Sequence, residues 1–135
     1  MWPAPEPGDI VWCRFPERPR DKPGPKPRPA LVLEVTQRAD GMEVKVAYGT
    51  SKKLGRLLAG EFVIRKPDNA AAYALAGLSY DTKFNRVETL SLPWDSQFFA
   101  IPPNPRHGQI PKLGSLHPGM MKVVEAALRA TRSLR

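Results

Sequence analysis

Proline placement constrains this chain more than any other feature. Sixteen of its 135 residues are proline. Each lacks a backbone N–H and fixes φ, so the chain suits a loop-rich β protein and not a helical bundle. Pro16, Pro19, Pro23, Pro25, Pro27 and Pro29 crowd into one stretch, and the last two bracket Arg28. Directly after them comes the branched apolar run Ala30-Leu31-Val32-Leu33-Glu34-Val35, which reads as a buried strand. Pro27 and Pro29 then mark strand entry, where a missing ladder donor costs little. Arg28 becomes a cation held at the mouth of a core strand. Two readings follow: an anion-binding or catalytic guanidinium, or a solvated arginine flanking a strand. Taken alone, the stretch favours the second.

The remaining punctuation gives a single α+β domain over 1–135, mostly β, with a proline-rich lead-in over 1–7. Residues 8–15 read as a first strand with Val11, Cys13 and Phe15 on one face. Cys13 is then a small buried hydrophobe rather than a nucleophile. Strands over 30–36 and 42–48 flank an Asp40-Gly41 turn signal and form a hairpin. Pairing Thr36 with Met42 sets Arg28 opposite Thr50, an inference that depends on the register. Gly49-Thr50-Ser51-Lys52-Lys53 would thus bring two hydroxyls and two ammonium groups to the Arg28 end of the hairpin. A strand over 61–64 follows. Asp68 is placed to cap a short helix over 70–76, with Gly77 as its stop. Residues 82–92 read as one or two strands ending at Pro93, and 96–101 as an apolar segment. A linker over 102–117 leads to a C-terminal helix over 118–133, with Met121, Val124 and Leu128 along one stripe.

Charge narrows the partners. Lys plus Arg is 21 and Asp plus Glu is 13, a formal charge of +8. That excess favours a polyanion: nucleic acid, an acidic protein or, less readily, a membrane surface. The loop over 16–27 carries Arg18, Arg20, Lys22 and Lys26 with Glu17 and Asp21 among them. Extended by its prolines, it could follow a phosphate chain, or it is simply a charged, solvated loop. A single cysteine excludes an internal disulfide and a cysteine-rich zinc site. No signal-peptide pattern or membrane-length apolar run is present, so a soluble cytoplasmic protein with no membrane partner is expected. His107 and His117 offer an acid/base pair, although solvent exposure and helix capping explain them more economically.

Gly8-Asp9-Ile10-Val11, a long polar loop and then Arg28-Pro29-Ala30-Leu31-Val32 together resemble the MazF/PemK family of toxin–antitoxin toxins. Tyr48-Gly49-Thr50-Ser51 follows at the spacing of that family's second active-site segment. The resemblance covers about residues 8–64. It implies an SH3-like small barrel with a short helix after the core strands and a C-terminal helix, usually a homodimer. It also implies a metal-independent endoribonuclease of single-stranded RNA, needing no cofactor and neutralised by an acidic antitoxin protein. Carried over, Arg28 looks like the catalytic arginine, Thr50 like the transition-state-stabilising hydroxyl and Ser51 like a substrate contact. The family's later cation-x-aspartate pair finds its nearest match in Lys83-Phe84-Asn85, where asparagine replaces the acid. Tyr48, Lys52, Glu17, Arg18 and Lys26 complete the expected substrate-binding set, with Glu17 or Asp21 as general base. The rival expectation is a non-catalytic SH3-like module binding RNA, DNA or protein, with Trp12, Trp94 or Tyr48 as stacking surfaces. A gyrase-targeting toxin on the same fold is a third.

Overall fold

The computed structural model describes residues 2–17 and 22–132, so Arg18, Arg20 and Asp21 lie outside the described residues. The chain forms strands β1 (Asp9–Cys13), β2 (Arg28–Arg38), β3 (Gly41–Thr50) and β4 (Glu61–Ile64). Helix α1 (Ala70–Leu75), β5 (Thr82–Pro93), β6 (Lys112–Ser115) and helix α2 (Met121–Arg132) follow. The strands make one six-stranded sheet in the order β4-β5-β3-β2-β1-β6. Every ladder is antiparallel. β4 and β6 are its edges and do not pair, so the sheet is open. The fold is mostly β with two short helices. No helix among the described residues is long and apolar enough to cross a membrane.

Alternating residues separate two apolar layers, as the pleat requires. Ile10, Leu31, Ala47, Phe62, Ile64 and Phe84 pack under Ala72 and Ala76 of α1 and Val124 and Ala127 of α2. On the other face Val11, Cys13, Ala30, Val32, Val44 and Val46 lie beneath Trp94, Phe98 and Phe99. The segment over 96–101 makes only a single bridge to β1, Cys13 to Phe99. Trp94 is buried, its ring 4.6 Å from Phe99 and 5.6 Å from Trp2. Its indole Nε1–H donates to the Pro3 carbonyl at 3.1 Å, which ties the proline-rich lead-in to the core.

The β2–β3 hairpin departs from the expected register near its turn. Arg38 pairs with Gly41 and Gln37 with Met42, one residue off the expected Thr36–Met42 pairing. A bulge between Val32 and Glu34 then absorbs that residue. From Val32–Val46 to Ala30–Tyr48 the expected register holds. Arg28 and Thr50 therefore reach the same end of the hairpin by two compensating shifts. β5 is one long strand, interrupted where the ladder passes from Thr89 to Asn85 against Ala47 and Tyr48.

Other boundaries shift for local reasons. Asn69, not Asp68, caps α1: its Oδ1 accepts the Ala72 N–H at 3.0 Å. A 3-10 turn (Pro118–Met120) precedes α2 and rotates its buried stripe to Met120, Val124 and Ala127, leaving Met121 exposed. The expected linker contains β6, which pairs with β1 from Val11–Lys112 to Asp9–Ser115. That short strand carries Gly114, where a Cβ would stand 2.1 Å from the Leu75 carbonyl oxygen. Glycine there lets the sheet edge meet the end of α1 backbone to backbone.

Candidate functional site

Beyond the β2 and β3 ends that carry Arg28 and Thr50, the sheet opens into a cleft of about 400 Å3. Its floor is Pro27, Arg28, Pro29, Gly49, Thr50 and Ser51. The strands close tightly there because a Cβ on Gly49 would stand 2.3 Å from the Pro29 carbonyl oxygen. The α1–β5 loop builds one wall with Leu78, Ser79, Tyr80 and Thr82. Pro102, Pro103, Asn104, Arg106, Lys112 and Leu113 complete the lining, together with Trp12 of β1.

The lining is cationic and hydroxyl-rich. Arg28, Arg106 and Lys112 contribute positive charge, and no described lining residue is a carboxylate or a histidine. Arg28 is half-buried and has no ion-pair or side-chain hydrogen-bond partner among the described residues. A half-buried guanidinium with no acceptor among the described residues favours an anionic ligand that supplies one. Lys112 is held from behind by Asp9, Nζ to Oδ1 at 3.4 Å, and Asp9 is itself anchored by the Glu6 N–H at 3.0 Å. Thr50 Oγ1 accepts the Lys52 backbone N–H at 3.1 Å. That bond fixes the hydroxyl and leaves its proton free to donate.

Three expected site residues thus meet: Arg28, Thr50 and Ser51. The others do not line the cleft. Tyr48 packs its ring on Phe15, with centroids 5.0 Å apart, and serves the apolar layer beneath. Lys83 is buried, where its ammonium pairs with Glu61 at 3.0 Å and donates to the Arg56 carbonyl at 3.1 Å. Two of its three donors are used, and burial keeps the third away from the cleft. Asn85 Oδ1 accepts the N–H groups of Val87 and Glu88 at 2.9 and 3.1 Å, capping the β5 irregularity. Glu17, Lys26 and Lys52 are exposed and stand outside the cleft, so Glu17 is not placed as its base. Arg18 and Asp21 lie outside the described residues.

Neither histidine enters the cleft: His117 Nδ1 accepts the Gly119 N–H at 2.8 Å, and His107 is solvent-exposed. Cys13 is fully buried, and burial pushes its thiol well above the usual range, so it is no nucleophile. Among the described residues no cluster of three or more acidic, histidine or cysteine side chains is placed to hold a metal.

Tyr80, Asn104, Arg106 and Lys112 went unread in the sequence. They come from a loop and a segment that carry no periodic pattern; the β1–β6 pairing brings Lys112 to the cleft, and the α1–β5 loop brings Tyr80. The clustering of prolines around Arg106 was the one available signal. Compared with models of known protein families and with curated proteins, the chain matches none.

Proposed function

We propose that the cleft binds single-stranded RNA and cleaves it without a metal, in the manner of a MazF/PemK-type toxin on an SH3-like sheet. The observation that supports this reading is the convergence of Arg28 with Thr50 and Ser51 in a cleft whose described lining is positive and free of carboxylates. RNA brings its own nucleophile. The 2′-oxygen gives its proton to a base and attacks the adjacent phosphorus, and the P–O5′ bond breaks as O5′ takes up a proton. The products are a 2′,3′-cyclic phosphate and a 5′-OH. Negative charge builds on the non-bridging oxygens of the phosphorane, and fixed donors there lower the barrier. Arg28 offers a fork of N–H groups for that charge. Thr50, its oxygen occupied by the Lys52 N–H, offers its hydroxyl proton.

On the same reading the +8 chain is restrained by an acidic partner segment that lies across Arg28 and competes with RNA. It works as a homodimer in the cytoplasm.

The absence of a carboxylate or imidazole from the described lining favours a second reading, a non-catalytic RNA-binding module, because proton removal needs a base. One experiment separates them. Purified protein is incubated with a long single-stranded RNA in EDTA and the ends are mapped. Cleavage leaving 2′,3′-cyclic phosphate and 5′-OH termini supports the enzyme. Binding without cleavage supports the module, and cleavage that appears only when magnesium is restored contradicts the proposed chemistry.

A further inference from the structure

We propose that Tyr80 and Arg106 make this cleft selective for unpaired RNA, a base stacking on the Tyr80 ring while consecutive phosphates run between Arg28 and Arg106. The inference rests on the reading of the cleft as a single-stranded RNA site and adds which side chains set that preference.

Tyr80 is 73% exposed, the most exposed large apolar side chain among the described residues. It lines the cleft beside Ser79 and Thr82. An aromatic ring in that position gains burial only when a flat ligand covers it, and every nucleobase has such a face. Of the three aromatics expected to stack, Trp94 and Tyr48 are engaged with Phe99 and Phe15, while Trp12 is half-buried and lines the same cleft.

The platform is fixed in place. Thr82 Oγ1 donates to the Tyr80 carbonyl at 2.8 Å, and the neighbouring Asp81 Oδ1 accepts the Lys66 N–H at 2.8 Å. At the start of the loop Gly77 has φ +69°, and a Cβ on it would lie 1.9 Å from the Leu113 carbonyl oxygen. The Tyr80 loop is thereby set against β6, one residue from Lys112.

Pro102, Pro103 and Pro105 stiffen the segment that brings Arg106 to the same cleft, and Asn104 there adopts a left-handed backbone with φ +54°. Arg106 is exposed and has no partner among the described residues. A cleft of about 400 Å3 falls in the range that encloses one small ligand. It admits one splayed nucleotide and excludes a duplex, whose bases are already stacked on each other.

Fluorescence anisotropy tests this with a short single-stranded RNA, the duplex of the same sequence and inorganic polyphosphate. The wild type should prefer the single strand over the duplex. Tyr80→Ala should weaken single-strand binding about tenfold, the usual loss for one stacked base. It should leave polyphosphate binding and the thermal midpoint unchanged, and Tyr80→Phe should behave as wild type. Arg106→Ala should weaken both single-strand and polyphosphate binding, and lower the slope of log affinity against log salt by roughly 0.7. Equal binding of single strand and duplex, or an unaltered Tyr80→Ala, overturns the inference. If Arg28→Ala still loses affinity in that case, the RNA site itself survives. A wild type that binds neither RNA at low salt sinks the site and the inference together.

Discussion

At the scale of single residues, burial and hydrogen bonding decide which side chains are available for chemistry. Lys83 and Arg28 are both cations at strand positions beside the hairpin end. Lys83 spends its donors on Glu61 and the Arg56 carbonyl, whereas Arg28 opens on the cleft with none of the described residues as partner. The family resemblance had set both in the expected site. Cys13 gives a sharper contrast, since a thiol raised by burial is neutral and shielded in the native state. Thiol reagents at pH 8 should leave the folded protein unlabelled and react fully once it is denatured. The pH dependence follows. In the unfolded chain the thiol ionises near its usual value of 9.0, while in the folded state it stays protonated. Stability contributed by the neutral thiol is therefore present below that value and is lost as pH rises above it. Rapid native labelling at pH 8 would contradict the buried placement.

Among elements, the edge pairing of β4 with β5 encloses one buried ion pair. Lys83 and Glu61 are 8% and 6% exposed at their side chains and 3.0 Å apart, and Glu61 Oε1 also accepts the Leu58 N–H at 2.7 Å. Removing one partner strands the other charge out of water. Lys83→Met should cost roughly 3–5 kcal/mol in denaturant titration. The double variant Lys83→Met with Glu61→Leu should recover much of that loss, because a matched apolar pair leaves no stranded charge. A single variant as stable as wild type would show the pair to be incidental.

Much of the architecture at this scale was legible. Apolar runs located β1 to β4, Gly77 marked the end of α1, and β5 was visible up to Pro93. What escaped depended on contacts distant in sequence. β6 is four residues with only Leu113 as a large apolar side chain, so it had no pattern to read, and it forms because β1 offers a free edge. The hairpin bulge at Leu33 was equally silent, since a register shift leaves composition untouched. Half of the site was therefore readable from the Arg28 and Thr50 motifs. The walls that carry Tyr80, Arg106 and Lys112 were not, because tertiary packing alone brings them there.

For the whole molecule, the open sheet sets two kinds of surface apart. One layer is closed over by α1 and α2 and the other by the segment around Trp94, Phe98 and Phe99. The strand ends at Arg28 and Thr50 are left open, and there the excess positive charge of the chain meets a shaped cavity. Binding at such a site is steered by charge, which salt screens over roughly 10 Å at 0.1 M. On the proposed reading, specificity comes from Arg28, Thr50 and the Tyr80 ring. The central claim is that Arg28 acts on a phosphate and not on the fold. It is tested most directly by measuring single-stranded RNA cleavage and thermal midpoint side by side for wild type and Arg28→Ala. The predicted result is an unchanged midpoint with cleavage reduced on the order of a hundredfold or more, the usual loss when one transition-state donor is removed. A variant that cleaves as fast as wild type, or that no longer folds, would contradict the account.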